Sequence, residues 1–222
     1  MALLGRGAMV IWHDLVEGTE ADYHAWHSRE HLGERVGIPG FRRGRRYTAI
    51  DGAPGFCILY EVDELSTLTS KAYRDRLNDP TPWTRASLVN FRNVNRTLCV
   101  VRESFGLGVG AVLLTLCLSP QPGRAKALGG KLGDSVLPDL AEAAGMSAAH
   151  LLVGDRKASA QPSLEKSLRD RPDEIADWII LVEGYDEAAL TQARAGSLSP
   201  AALARHGAEP PVAQGLYRLA HG

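Results

Sequence analysis

Four histidines near the amino terminus are the side chains best suited to acid–base chemistry in this chain. His24, His27 and His31 recur at spacings of three and four residues, and His13 lies eleven residues before His24. An unperturbed imidazole has a pKa of ~6.5, so it can accept or release a proton near neutral pH. We therefore predict that His27, His31 and His13 are catalytic groups.

One helix must position three of these histidines. The segment 20–36 has a helical pattern and ends before Gly37 and Pro39. At about 100° per residue, Ala21, Ala25, Leu32 and Val36 share one face, and the histidines form a stripe on another face. The pattern therefore predicts that the histidines lie away from the core.

Three interpretations of the stripe remain open at this point. It could be a solvated polar face, a metal site, or an acid–base site at the mouth of a pocket. His27 and His31 are spaced for one metal ion, but the glutamate of an HExxH motif and an obvious third ligand are missing. We therefore predict no metal site and no cofactor.

Aromatic and arginine side chains supply the candidate substrate contacts. We predict that Trp12, Trp26, Tyr47 and Tyr60 line a pocket, although aromatic residues on strands are also typical of plain core packing. Four arginines alternate along the segment 41–50, so two of them point to each face of the strand. We predict that Arg45 binds a carboxylate or enolate oxygen, and that most of the others lie on a solvated strand edge.

Eight predicted strands must hold these side chains. Four are nearly continuous apolar runs at 8–15, 56–63, 109–118 and 177–186, and four mix apolar with charged residues at 41–50, 96–105, 149–158 and 211–220. Helical segments between them give the order βαββαβ twice, which predicts an α+β fold of two tandem ferredoxin-like units, 1–106 and 107–222, with antiparallel sheets. We expect the mixed strands at sheet edges, where charge hinders unwanted pairing, and a long polar loop at 159–176.

Composition excludes several classes of function. The 222 residues carry 25 basic and 26 acidic side chains and are 45% hydrophobic, which fits a globular protein with no general attraction for nucleic acid or membranes. Cys57, Cys99 and Cys117 lie far apart in apolar runs, and no secretory signal is recognisable, so we expect a cytoplasmic location. A small molecule is the expected partner, with a homodimer as the candidate assembly.

A recurring family pattern is found between residues 26 and 47. It consists of Trp26, His31, Pro39, Gly40, Phe41, Arg46 and Tyr47. In these positions the chain resembles the dimeric α/β-barrel superfamily, and within it EthD-like proteins in a tandem, single-chain form. The resemblance implies an intrachain barrel of two ferredoxin-like sheets, with a pocket between sheet and helices for small, often aromatic molecules.

Together these features predict a cofactor-independent small-molecule enzyme that uses histidine acid–base catalysis on a hydrophobic or aromatic substrate. The resemblance implies an isomerase, cyclase, lyase or monooxygenase reaction. Two alternatives stay open: a non-catalytic binder of haem or another hydrophobic ligand, and a stress-related structural barrel without chemistry. The second unit has no histidine cluster, so we predict that it is degenerate and that activity belongs to the first unit.

Overall fold

Eight antiparallel strands form a closed barrel in the computed structural model, which describes residues 3–52 and 54–222. The strands are β1 (Gly7–Leu15), β2 (Phe41–Asp51), β3 (Phe56–Val62), β4 (Phe91–Gly106), β5 (Val112–Pro120), β6 (Met146–Gly154), β7 (Trp178–Gly184) and β8 (Ala208–His221). Around the barrel their order is β1-β3-β2-β8-β5-β7-β6-β4. All eight predicted strands are confirmed, and β4 begins five residues before its predicted start.

The four apolar strands are central and the four mixed strands flank them. β1 pairs with β3, and β5 pairs with β7, in the middle of each half of the barrel. The mixed strands pair across the halves, β2 with β8 and β4 with β6. The expectation that their charges protect free edges was therefore wrong, because closure of the barrel gives each of these strands a neighbour on both sides.

Helices cover the outside of the barrel. They are α1 (Glu20–Trp26), α2 (Leu32–Val36), α3 (Lys71–Asn78), α4 (Pro82–Leu88), α5 (Ala125–Lys131), α6 (Leu137–Glu142), α7 (Arg156–Ser159), α8 (Leu164–Ser167), α9 (Glu187–Ala195) and α10 (Pro200–His206). A π-helical turn, His27–His31, joins α1 to α2 into one continuous helix, here called the histidine helix. A second π-helical turn, Leu132–Val136, joins α5 to α6 in the same way.

Side chains alternate between the barrel interior and the helices, as expected for strands covered on both faces. The interior contains Val10, Leu59, Leu113 and Leu181. Outside the barrel, two further cores separate the sheet from the helices. We call the core under the histidine helix the first outer layer and the core under α5 and α6 the second outer layer.

The histidine helix buries a different face from the one predicted. Ala21 and Val36 are exposed, whereas Tyr23, Trp26, His27 and His31 are buried. Two aromatic side chains bury far more apolar surface than two alanines, which selects their face for the core. The π-helical turn then changes the phase of the helix, so the residues that follow no longer obey the 100° rule.

A long segment of the second half, residues 159–176, lies over the first half, and we call it the strap. Its Glu174 forms an isolated parallel bridge with Asn95 of β4. The Glu174 amide donates to the Val94 carbonyl at 2.8 Å, and the Arg96 amide donates to the Glu174 carbonyl at 2.9 Å. Leu168 packs against the first outer layer. The predicted polar loop is therefore present, but it contacts the opposite half of the barrel.

Candidate functional site

The first outer layer brings His13, His27 and His31 together, and we call these three residues the histidine cluster. His13 comes from β1, and the other two come from the π-helical turn. The ring centroids of His27 and His31 are 5.7 Å apart, and the Tyr23 ring lies 5.1 Å from His13 and 5.7 Å from His27. All three histidines are buried. Of the predicted stripe, His27 and His31 therefore lie in the core, while His24 is partly exposed.

His13 is held in place on all sides. Its ring stacks between Phe56 and Phe91, at centroid distances of 5.2 and 4.1 Å. Its Nε2 lies 3.0 Å from the Tyr23 hydroxyl and its Nδ1 lies 3.3 Å from the Asp14 carbonyl oxygen. Both ring nitrogens therefore have neighbours within the protein, which suits a positioning role better than proton transfer.

His27 and His31 have polar atoms without partners. Both ring nitrogens of His27 and the Nδ1 of His31 are buried and form no hydrogen bond within the described part of the chain. The hydroxyl of Tyr60, on β3, is in the same state. Buried polar groups in proteins are nearly always hydrogen-bonded, so these unpartnered atoms are unusual.

Burial also fixes the protonation state of the cluster. Removal from water lowers the pKa of His13 to about 3 and lowers the pKa of His27 and of His31 well below the ordinary histidine value. The nearby charge of Arg46 further lowers the pKa of His27, and that of Arg35 further lowers the pKa of His31. At neutral pH the three imidazoles are therefore neutral.

Arg46 is a cationic group of this layer, which we predicted as part of the family pattern but not as a site residue. Its side chain is buried on β2, with the guanidinium 5.6 Å from the centre of the Tyr23 ring. One nitrogen donates a long bond of 3.5 Å to the His24 carbonyl oxygen, while Nε has no partner. No carboxylate among the described residues forms an ion pair with it, so a buried positive charge lies unneutralised beside neutral histidines.

Arg45, which we had predicted to bind substrate, lies inside the barrel instead. Its guanidinium donates to both carboxylate oxygens of Glu183, at 2.6 and 3.0 Å, and to Glu61 at 2.8 Å. It also donates to the Tyr47 hydroxyl at 2.7 Å. These ion pairs hold Arg45 and Tyr47 away from the histidine cluster. Adjacent strand residues face opposite sides, and both sides are buried here, so the sequence could not tell which arginine faces the helix.

The remaining predicted substrate contacts also lie on different sides of the sheet. Trp12 lies inside the barrel, where its indole Nε1 donates to the Thr115 hydroxyl at 3.3 Å. Trp26 and Tyr60 lie in the first outer layer, and the Trp26 ring is 4.2 Å from that of His31. The structure therefore places two of the five predicted substrate contacts in the layer that contains the histidine cluster.

The strap completes the layer from outside. Glu165, on α8, forms a buried ion pair with Arg35 of the histidine helix. The charge of Arg169, also on the strap, lowers the pKa of both His13 and His31. Glu165 lies 130 residues from its partner in the sequence, so no local pattern could have revealed this contact.

Two further features of the described residues bear on function. Across residues 3–52 and 54–222, no three His, Cys, Asp or Glu side chains are arranged to hold a metal ion. None of the helices in the same ranges is long and apolar enough to cross a bilayer.

Comparison with known proteins identifies the fold. No protein-family profile and no curated protein sequence matches the chain. An anthrone oxidase-like protein of known structure superposes with a TM-score of 0.64 at 12% identity, over 97% of this chain and 91% of that chain. A candidate monooxygenase from Fusobacterium nucleatum subsp. nucleatum gives 0.60 at 9% identity, over 98% and 94% of the two chains.

A haem-binding protein from Thermus thermophilus shares the fold at a TM-score of 0.52 and 10% identity, over 98% of this chain and 92% of that chain. At such low identities the likeness concerns the fold alone. The chain thus has an antiparallel α+β barrel fold that also occurs in monooxygenase-like and haem-binding proteins.

Proposed function

We propose that the chain is a cofactor-independent enzyme that removes a proton from a small hydrophobic or aromatic substrate in the first outer layer. The observation that carries this proposal is the unpaired, buried Arg46 guanidinium beside the neutral imidazole of His27. A buried charge without a partner destabilises a protein. Such an arrangement is therefore expected where a ligand supplies the missing negative charge.

The proposed step needs only groups that this layer contains. A ring nitrogen of His27 accepts a proton from an acidic C–H or O–H bond of the substrate, and the bonding electron pair remains on the substrate as an enolate or phenolate. The anionic oxygen then pairs with Arg46. Because Arg46 lowers the pKa of His27, an anion bound to Arg46 raises the proton affinity of His27 as the proton moves.

The other residues of the layer support this step. We assign Trp26 and Tyr60 to the walls of the substrate site, and the unpartnered Tyr60 hydroxyl can bond a substrate oxygen. His31 is a second proton acceptor, since its Nδ1 is also free. His13 positions the Tyr23 hydroxyl, to which it is hydrogen-bonded.

We also propose that the chain consists of two tandem ferredoxin-like units, 1–106 and 107–222, of the EthD-like type. The elements starting at residues 7, 20, 27, 32 and 41 recur at 112, 125, 132, 137 and 146, a constant shift of 105 residues. Each series contains a π-helical turn at the same place. The strand order also supports two units, since both halves place their first and third strands side by side.

A haem-binding role is the second candidate, because one protein with this fold binds haem. An axial histidine must direct a ring nitrogen toward open space for the macrocycle. Here aromatic rings lie within 4.1–5.9 Å of the histidine cluster: Phe91 on His13, Trp26 on His27 and His31, and Tyr23 on His13 and His27. These rings pack against the imidazoles that would have to direct a nitrogen at the iron, so we favour proton transfer. A Soret band after titration with haemin would support the second candidate instead.

The proton-transfer proposal can be tested with anthrone, whose C10–H bond is acidic and whose conjugate base carries an anionic oxygen. The chain is incubated with anthrone in D₂O without oxygen, and loss of the C10 proton signal is followed by NMR. We expect exchange faster than in buffer, and a decrease of about 10²- to 10⁴-fold in His27→Gln.

The matched control is His150→Gln, because His150 is equally buried but lies inside the barrel, bonded to Ser104. This variant is expected to retain the exchange rate. Exchange no faster than in buffer, or a loss in His150→Gln but not in His27→Gln, would contradict the proposal.

A further inference from the structure

The two ends of the barrel interior differ. At one end Glu61 and Glu183 pair with Arg45, and they also accept bonds from the backbone amides of Leu4 and Gly110, at 2.8 and 3.0 Å. These three side chains therefore occupy that end of the barrel interior. At the other end lies a cavity of about 120 Å³ that none of the groups discussed above as catalytic occupies.

The walls of this cavity are aromatic and apolar. Trp12 and Tyr217 are buried in them, and Cys117 and Pro54 also contribute. The polar atoms of the two aromatic side chains are already bonded, since Trp12 donates to Thr115 and the Tyr217 hydroxyl donates to the Pro54 carbonyl oxygen at 3.1 Å. What these two residues offer a ligand is therefore aromatic surface.

The rim carries one charged side chain, Glu174 of the strap. Its backbone is fixed to β4 by the two hydrogen bonds described above, so the side chain is held at the cavity. Its carboxylate is solvent-exposed and forms no ion pair or hydrogen bond within the described residues. Asn93, Asn95 and Gln214 supply the other polar groups of the lining. The site thus combines aromatic walls with an unpaired negative charge.

We propose that this cavity is a second binding site, separate from the histidine cluster, for a small ammonium compound with one ring as its body. Aromatic surfaces attract cations, and a carboxylate at the rim gives the ammonium group a charge-assisted hydrogen bond. An apolar cavity of about 150 Å³ can hold a benzene-sized molecule, so a cavity of this size with an open rim suits a single ring.

The two sites are on opposite faces of β1. Trp12 points into the barrel, whereas its neighbour His13 points into the first outer layer. Occupation of the barrel cavity therefore brings no ligand atom into the histidine cluster, and the two sites can be tested independently.

The test uses benzylammonium as the probe and the full chain labelled with ¹⁵N. Binding is followed through the indole N–H signal of Trp12, which is assigned with Trp12→Phe. We expect a saturable shift with benzylammonium, and binding of the neutral benzyl alcohol that is weaker by about tenfold or more. Glu174→Gln should reduce the affinity for benzylammonium to that for benzyl alcohol.

Two matched variants control for charge and for the other site. Glu64→Gln removes the same charge from an exposed residue just beyond the end of β3, at the opposite end of the barrel, and should leave the affinity unchanged. His27→Gln should also leave it unchanged. The proposal is overturned if no saturable shift occurs, if the two probes bind equally, or if His27→Gln rather than Glu174→Gln abolishes binding.

Discussion

The two outer layers occupy matched positions on one barrel but have opposite chemistry. With the shift of 105 residues, His27 corresponds to Leu132 and His31 to Val136. Arg46 corresponds to Leu151 in the same way. The second outer layer is a continuous apolar core, while the first holds neutral histidines and an unpaired guanidinium.

This difference separates the needs of the fold from the needs of function. The second outer layer shows that this backbone, including its π-helical turn, packs well around leucine and valine. Buried polar groups without partners reduce stability. The histidines and Arg46 are therefore not required by the fold, and the proposed function explains the stability that they cost.

Arg46→Met should show the largest effect, because it makes the first layer resemble the second. Removing the group that we propose to stabilise an anionic oxygen is expected to lower the anthrone exchange rate by about 10²- to 10³-fold. Exchange is measured by NMR as above, with Arg42→Met as control, since Arg42 lies on the same strand but is exposed and pairs with Asp63. Equal rates in both variants would show that Arg46 is not part of the site.

Glu165→Leu tests the strap, which covers the first layer only. Loss of one partner from a buried ion pair should lower the free energy of unfolding by about 3–5 kcal/mol, because Arg35 is left as a buried, unpaired charge. Denaturant unfolding measures this value. Glu64→Leu is the control for the loss of an exposed carboxylate, and a loss no larger than the control would mean that the strap is not anchored by this pair.

Leu132→His transfers a histidine of the first layer to its matched position in the second. Leu132 lies within an apolar cluster, so the free energy of unfolding should fall by about 2–3 kcal/mol. Leu132→Met controls for the change of shape and should be tolerated within about 1.5 kcal/mol. An unchanged free energy of unfolding in Leu132→His would mean that this fold accepts buried histidines freely. The histidines of the first layer would then need no functional explanation.

The stability of the chain should also depend on pH through the first layer. The folded-state pKa values of His27 and His31 lie below the unfolded value, so both residues bind protons preferentially when unfolded. Their contribution to the free energy of unfolding is complete above pH ~6.5. It is lost as the pH falls, by up to about 1.4 kcal/mol per pH unit for each histidine. Unfolding between pH 7 and pH 5 measures the slope. The double variant His27→Leu, His31→Val should reduce the slope and leave the contribution of His13. An unchanged slope would contradict the burial of these two imidazoles.

Much of this comparison could be predicted from the sequence, and the reasons for the failures are specific. The eight strands followed from apolar runs, and the histidines were recognisable by spacing. Their burial was missed because a helical wheel counts Ala21 and Val36 as equal to Tyr23 and Trp26, although the aromatic residues bury more area. Arg45 was preferred to Arg46 because alternation cannot distinguish the two faces of a strand that is covered on both. Contacts of the strap depend on closure of the barrel, which no local pattern encodes.

The central claim is tested most directly by His27→Leu, measured for stability and for exchange in the same preparation. Leucine occupies the matched position in the second layer, so we expect the free energy of unfolding to rise by about 1 kcal/mol, because two unpartnered polar atoms are removed. Anthrone exchange should fall to the buffer rate in the same variant. A variant that is less stable than the wild type and still exchanges at the wild-type rate would show that His27 supports the fold and not the chemistry.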